Sequence, residues 1–213
     1  MSVAAKICGL SSEPAAEAAV IGGAAYVGFV FYPPSPRAVK PARAGELSAS
    51  VPPGVKRVAL FVDADDATIA SVLDVVPIDL LQFHGAEGVD RVAEAKERFR
   101  IPFMKAIAIA GPRDLAVAAR YEDVADMLLF DAKPPPGATR PGGNGLAFDW
   151  QLIAGRQWKL PWMLSGGLTA ELLPAAARIS GAHLVDVSSG VETAPGQKDI
   201  AKIQAFLEVA RGL

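Results

Sequence analysis

Residues Trp162–Gly190 read WMLSGGLTAELLPAAARISGAHLVDVSSG. Trp162–Leu164 is a short apolar run, of the kind that forms a strand buried on both faces. Ser165-Gly166-Gly167 then turns the chain, and Leu172, Leu173 and Ala176 form part of a helical stripe. Leu184–Val187 is a second apolar run, closed by Ser188-Ser189-Gly190. The stretch thus spells out strand, turn, helix, strand, with a glycine-containing turn after each strand.

The same alternation runs back through the chain. Apolar runs near Ala4–Cys8, Tyr26–Phe31, Lys56–Val62, Leu80–His84, Phe103–Ala108 and Met127–Asp131 predict six earlier strands. Ile69, Val72, Leu73 and Val76 follow the i, i+3, i+4, i+7 spacing of an amphipathic helix, as do Ile203, Phe206, Leu207 and Ala210. Val89, Val92 and Ala93 repeat part of it. Ser11 and Ser12 open the first helix, and Gly22 and Gly23 close it. Eight strand-then-helix units in 213 residues predict an α/β fold, a (β/α)8 TIM barrel spanning 1–213 as a single domain. A doubly wound open sheet is the alternative, which periodicity by itself does not distinguish.

Composition narrows the function. Lys and Arg total 21 against 23 for Asp and Glu, so no basic field for nucleic acid is expected. The single Cys, Cys8, excludes an internal disulfide and a multi-Cys metal site, and suits a reducing compartment. Val20–Val30 is apolar but short and broken by Gly22, Gly23 and Gly28, so no membrane span is expected. The N-terminus lacks the apolar core of a signal peptide, and the expected location is cytoplasmic.

In a barrel the chemistry sits at the C-terminal ends of the strands. Cys8, His84 and Asp131 end strands one, four and six. His183 precedes strand eight and belongs to the opposite, structural face. Cys8 is either a small buried hydrophobe or, with a cation nearby, a thiolate base. Lys6 shares its strand face and is the candidate cation. Asp131 is either a loop-capping group or a carboxyl held protonated under a lid, a general acid. The lid would be Lys133–Gly145, rich in Pro and Gly and too long for an ordinary turn. Gly166, Gly167, Ser188, Ser189 and Gly190 lie in the turns after strands seven and eight, where barrels often bind phosphate; the plainer alternative is two tight turns. Arg37 follows a stiff Pro33-Pro34-Ser35-Pro36 segment and is either a carboxylate-binding fork or a solvated charge. Strands one and eight become neighbours on closure, so Lys6 and Asp186 are expected to form an ion pair.

The ordered motifs carry a resemblance. They are KICG at Lys6–Gly9, GFVFYPPSPR at Gly28–Arg37, QFHG at Gln82–Gly85 and FDA at Phe130–Ala132. GGNG with FDW follows at Gly142–Trp150, then LSGGL at Leu164–Leu168, VDVSSGVE at Val185–Glu192 and PGQKD at Pro195–Asp199. With them the chain resembles the phosphoribosylanthranilate isomerases along nearly its whole length.

The resemblance implies a cofactor-free, metal-free Amadori rearrangement in tryptophan biosynthesis, acting on a small phosphosugar. It implies Cys8 as general base and Asp131 as general acid, with Arg37 on the anthranilate carboxylate. Substrate contacts at His84 and Asp186, and phosphate contacts at Gly166, Gly167, Ser188, Ser189 and Gly190, complete the set. The protein is expected to be a monomer or homodimer with no nucleic-acid or membrane partner. Two departures stand out: Asn144 replaces the family's usual Thr in GGTG, and QFHG replaces QLHG. Two other readings fit a phosphate-binding barrel. One is a related enzyme that closes the indole ring, which the SPR loop and KICG do not suit. The other is a phosphosugar-binding module without turnover, which would have no need of Cys8 and Asp131.

Overall fold

The computed structural model describes residues 3–135, 137–138 and 141–213. Of the Pro/Gly-rich stretch read as a lid, residues 136, 139 and 140 lie outside the described residues, as do Met1 and Ser2.

Eight parallel strands close into a barrel in sequential order. They are β1 (Ala4–Cys8), β2 (Tyr26–Val30), β3 (Lys56–Phe61), β4 (Leu80–Phe83), β5 (Phe103–Ile109), β6 (Met127–Ala132), β7 (Trp162–Leu164) and β8 (Leu184–Val187). The closing seam pairs β1 with β8, Lys6 opposite Asp186 and Ile7 opposite Val187, which rules out the open sheet. Helices α1 (Glu13–Ile21), α2 (Pro41–Ala49), α3 (Asp66–Leu73), α4 (Val89–Phe99), α5 (Pro112–Ala119), α6 (Leu173–Ser180) and α7 (Ile200–Gly212) surround it. Ser12 and Gly22 cap α1 as its sequence predicts.

Alternation along each strand divides the side chains between two environments. Outward positions carry Phe29, Phe61, Phe83, Phe103 and Phe130, all fully buried under the helices. Each stabilises the fold by about 1.5–3 kcal/mol relative to exposure. Inward positions form layers. Val58, Leu80, Met104, Met127, Leu129 and Met163 fill the lower barrel with apolar side chains. Above them the inward positions turn polar, with Lys6, Gln82 and Asp186 all buried. The topmost inward positions belong to Cys8, His84 and Asp131.

The expectation of eight complete strand–helix units is corrected at the sixth. Among the described residues between β6 and β7 there is no α-helix, only a 3-10 turn at Trp150–Leu152. Pro134, Pro135 and Pro141 together with Gly142, Gly143 and Gly145 deny that segment a helix. Trp158 covers the exposed flank instead, its ring 4.8 Å from that of Phe130. A second difference is an antiparallel hairpin after β8, formed by β9 (Glu192–Ala194) and β10 (Gln197–Lys198). His183 sits exposed at the N-terminal end of β8, its carbonyl accepting from the Ala4 N–H at 2.9 Å, on the structural face where it was expected.

Candidate active site

A cleft opens at the C-terminal mouth of the barrel, with an empty volume of about 760 Å³ including its solvent-open part. Cys8, Arg37, His84, Asp131, Gly166, Gly167, Asp186, Ser188, Ser189 and Gly190 all line it. Every candidate residue from the sequence is therefore brought to one place, though not all in the expected environment.

Cys8 ends β1 and is buried. The Lys6 ammonium below it donates to Asp186 Oδ1 at 2.9 Å, and the Ser165 hydroxyl donates to Asp186 Oδ2 at 3.1 Å. The expected Lys6–Asp186 pair is thus present, with Lys6 wholly buried. Gly28, opposite Cys8 on β2, makes room for this group: a Cβ there would stand 3.0 Å from Cys8 Sγ and 3.2 Å from Lys6 Cε. Burial pulls the Lys6 ammonium down, but Asp186 and Cys8 together raise it above the ordinary lysine value. The thiol differs from expectation. Burial pushes Cys8 up more than Lys6 and Lys198 pull it down, so at rest it stays in the thiol form beyond the ordinary thiol range. Lys6 was expected to favour the thiolate; desolvation outweighs it.

Asp131 stands on β6, three strands from β1 round the ring. Its Oδ1 accepts from the Ala132 N–H at 2.8 Å, and its Oδ2 lies 3.1 Å from His84 Nε2. His84 Nδ1 in turn meets Gln82 Nε2 at 2.8 Å. An amide nitrogen only donates, so His84 accepts at Nδ1 and carries its proton at Nε2, aimed at Asp131. Gln82 Oε1 is buried and meets no partner among the described residues. Turning the Gln82 amide over would place that oxygen against Nδ1 and let Nε2 accept a proton from Asp131. Gln82, His84 and Asp131 therefore form one hydrogen-bonded chain leading to the mouth of the barrel. Gln82 had been read only as part of a motif.

Arg37 is not a solvated charge. It is buried, and its Nε and Nη2 donate to the two carboxylate oxygens of Glu192 at 2.7 and 2.9 Å. Lys198 Nζ donates to Glu192 Oε1 at 2.8 Å and to the Ser188 carbonyl at 2.9 Å. The Ser188 hydroxyl donates to the Cys8 carbonyl at 3.0 Å. Burial would raise the Glu192 carboxyl, but the hydrogen bond from Arg37 and the charge of Lys198 hold it below the ordinary value. Burial pulls Lys198 below the ordinary lysine value, more than Glu192 lifts it. Reading the sequence missed Glu192 and Lys198. The available signal was Pro195-Gly196, a tight-turn pair that sets Glu192 and Lys198 opposite each other across a hairpin.

The two glycine turns open on the same side of the mouth. Gly166 and Gly167 both have positive φ. Among the described residues, the N–H groups of Gly166, Gly167, Ser189 and Gly190 meet no protein acceptor, so they stand available to an anion. The segment from Gly142 to Ala147 crosses the mouth. Gly142 lies against His84 and Asp131 so closely that a Cβ would stand 2.7 Å from Asp131 Oδ2. The Gly143 carbonyl accepts from Arg37 Nη2 at 3.3 Å. Leu146 and Ala147 pack their backbone on Gly167.

Comparison with known proteins follows the same line. A family model described as N-(5'-phosphoribosyl)anthranilate (PRA) isomerase matches residues 5–209. A protein of Cereibacter sphaeroides named N-(5'-phosphoribosyl)anthranilate isomerase is 55% identical over 209 residues, covering 98% of this chain and 99% of its own length. One of the same name from Paramagnetospirillum magneticum is 54% identical over 212 residues, covering 100% and 99%. Among solved structures, the phosphoribosyl anthranilate isomerase of Thermotoga maritima superposes with a TM-score of 0.88 at 37% identity, over 99% of this chain and 100% of that one. A phosphoribosyl anthranilate isomerase solved in complex with reduced 1-(o-carboxyphenylamino)-1-deoxyribulose 5-phosphate gives a TM-score of 0.84 at 35% identity, with the same coverage. With the fold, the ordered motifs and these relatives in agreement along the chain, it belongs to the N-(5'-phosphoribosyl)anthranilate isomerase family.

Proposed function

We propose that this chain converts N-(5'-phosphoribosyl)anthranilate to 1-(2-carboxyphenylamino)-1-deoxyribulose 5-phosphate in tryptophan biosynthesis, with Asp131 as general acid and Cys8 as general base. The observation that carries the mechanism is that Cys8 and Asp131 enter one cleft from strands well apart on the ring. A ribose held between them would meet one group on each side.

The rearrangement needs two proton movements. Asp131 gives a proton to the furanose ring oxygen, and the ring C–O bond breaks to leave a protonated Schiff base. Cys8 acts through its minor thiolate form, its thiol proton having first passed to water in the open cleft; the thiolate takes the proton from ribose C2, whose electron pair forms the enolamine. Tautomerisation yields the ketone. Free N–H groups at Gly166, Gly167, Ser189 and Gly190 are the proposed phosphate site, with Ser188 fixing the turn. Arg37 is the proposed partner of the anthranilate carboxylate. The same reading takes the protein as a cytoplasmic monomer or homodimer. No helix among the described residues is long and apolar enough to cross a membrane.

The direct test is a coupled fluorescence assay with freshly made phosphoribosylanthranilate. Turnover is expected from enzyme dialysed against EDTA with no cofactor added; its absence overturns the reading. A second measurement uses the uniqueness of Cys8. Burial raises its pKa, and a thiol with a raised pKa stays neutral until the pH climbs past the ordinary value. Thiolate absorbance, and alkylation of the free enzyme, should therefore rise at higher pH than for an ordinary free thiol measured in parallel. Ionisation at neutral pH would mean that Lys6 and Lys198 outweigh burial.

The segment over the mouth is proposed to act as a lid that excludes water. Gly142→Val would drive a branched side chain into His84 and Asp131. We expect kcat/KM to fall by about 10- to 100-fold, because misplacement of reacting groups is that costly, while the thermal midpoint stays near wild type. Unchanged kinetics would remove this segment from the mechanism.

A further inference from the structure

Arg37, Glu192 and Lys198 form a buried row of three charges, with side-chain exposures of 6%, 4% and 1%. Taken as a unit the row carries one net positive charge. Glu192 occupies the Nε and Nη2 edge of the Arg37 guanidinium and is itself shared with Lys198. If Glu192 faced Arg37 alone, the pair would be neutral, and a carboxylate arriving from the cleft would meet a guanidinium already compensated. With Lys198 taking up part of the Glu192 charge, the positive charge at Arg37 is left over. Desolvation makes that difference matter, since charges in a buried site are poorly screened.

We infer that Lys198, on the β9–β10 hairpin, is a positioning residue that sets carboxylate recognition: it neutralises Glu192 and so leaves Arg37 an uncompensated charge for the substrate's anthranilate carboxylate. This rests on the reading of Arg37 as the carboxylate partner. The hairpin is built for the role. Pro195-Gly196 returns the chain so that Lys198 falls opposite Glu192, and Lys198 is fixed further by the carbonyl and hydroxyl of Ser188. Glu192 is held from the other side by the Gly196 N–H and, through its carbonyl, by Lys202.

The test compares the binding of two probes, reduced 1-(2-carboxyphenylamino)-1-deoxyribulose 5-phosphate and its counterpart with phenyl in place of carboxyphenyl. The ratio of their affinities isolates the carboxylate. Lys198→Met should lower that ratio by about 10-fold, the scale of one charge contact in a buried site, with little change for the phenyl probe. Glu192→Gln combined with Lys198→Met restores the net charge of the row and should recover most of the lost preference. A purely structural Lys198 would make the double variant no better than the single one. Arg37→Ala should abolish the preference. If Arg37→Ala retains it, the reading of Arg37 is wrong. If Arg37→Ala loses it while Lys198→Met keeps it, the inference about Lys198 alone is overturned. Should Lys198→Met not fold, the step from Glu192→Gln to the double variant removes the same charge without leaving a buried carboxylate short of a partner. That step should also lower the ratio, and no change there overturns the inference.

Discussion

Cys8→Ala and Asp131→Asn should each lower kcat by at least about 100-fold, with the reduced product still binding. One lost proton transfer accounts for about 100- to 10,000-fold, and a factor of 100 corresponds to about 2.7 kcal/mol of barrier. The geometry makes these substitutions clean. Cys8 is a small side chain whose neighbours are held independently: Lys6 by Asp186, and the Cys8 carbonyl by Ser188. Its truncation leaves only a small cavity. Asn at 131 can keep the bond from the Ala132 N–H but has no acidic proton to give the ring oxygen. Cys8→Ser should fail as well, because a hydroxyl does not ionise where even a thiol is held neutral. Single-turnover kinetics with binding of the reduced product measured in parallel check all three. Near-wild-type turnover in either Cys8 variant would leave the thiol as packing and require another base.

The second large effect is on stability. Lys6→Met should destabilise the barrel by about 3–5 kcal/mol, the usual consequence of removing one partner from a buried ion pair. Asp186 would keep the Ser165 hydroxyl but lose its countercharge inside the barrel. In a chain of this length, that corresponds to a fall in the unfolding midpoint of roughly 10 °C. Replacing both partners by apolar residues, as in Lys6→Met with Asp186→Leu, should recover much of the loss, because no unpaired charge remains. Urea denaturation of the single and double variants gives the coupling directly. Equal stability of Lys6→Met and wild type would show that the pair contributes nothing net.

The sequence by itself determined the alternation of strands and helices and where along the chain the chemistry lies, while the β1–β8 seam decided between barrel and open sheet. Strand runs buried on both faces, helical stripes between them and glycine turns after β7 and β8 are local features, and local physics suffices to read them. The observed strands match those runs to within about two residues, the ordinary uncertainty of an element's end. The Lys6–Asp186 pair was legible too, since closing an eight-strand ring makes the first and last strands neighbours and a charge inside needs a partner. Tertiary structure decided the rest. The prolines and glycines after β6 deny a sixth helix locally, but that Trp158 packs on Phe130 in its place is a contact no periodicity records. Arg37 could be read as a fork or as a solvated charge until Glu192, 155 positions away in sequence, was found to hold it. Lys198 and Gln82 matter only through partners brought to them by folding. Whether Cys8 rests as thiol or thiolate was beyond the sequence for the same reason: it is set by a balance between burial and two lysines, and that balance exists only once the barrel has closed around it.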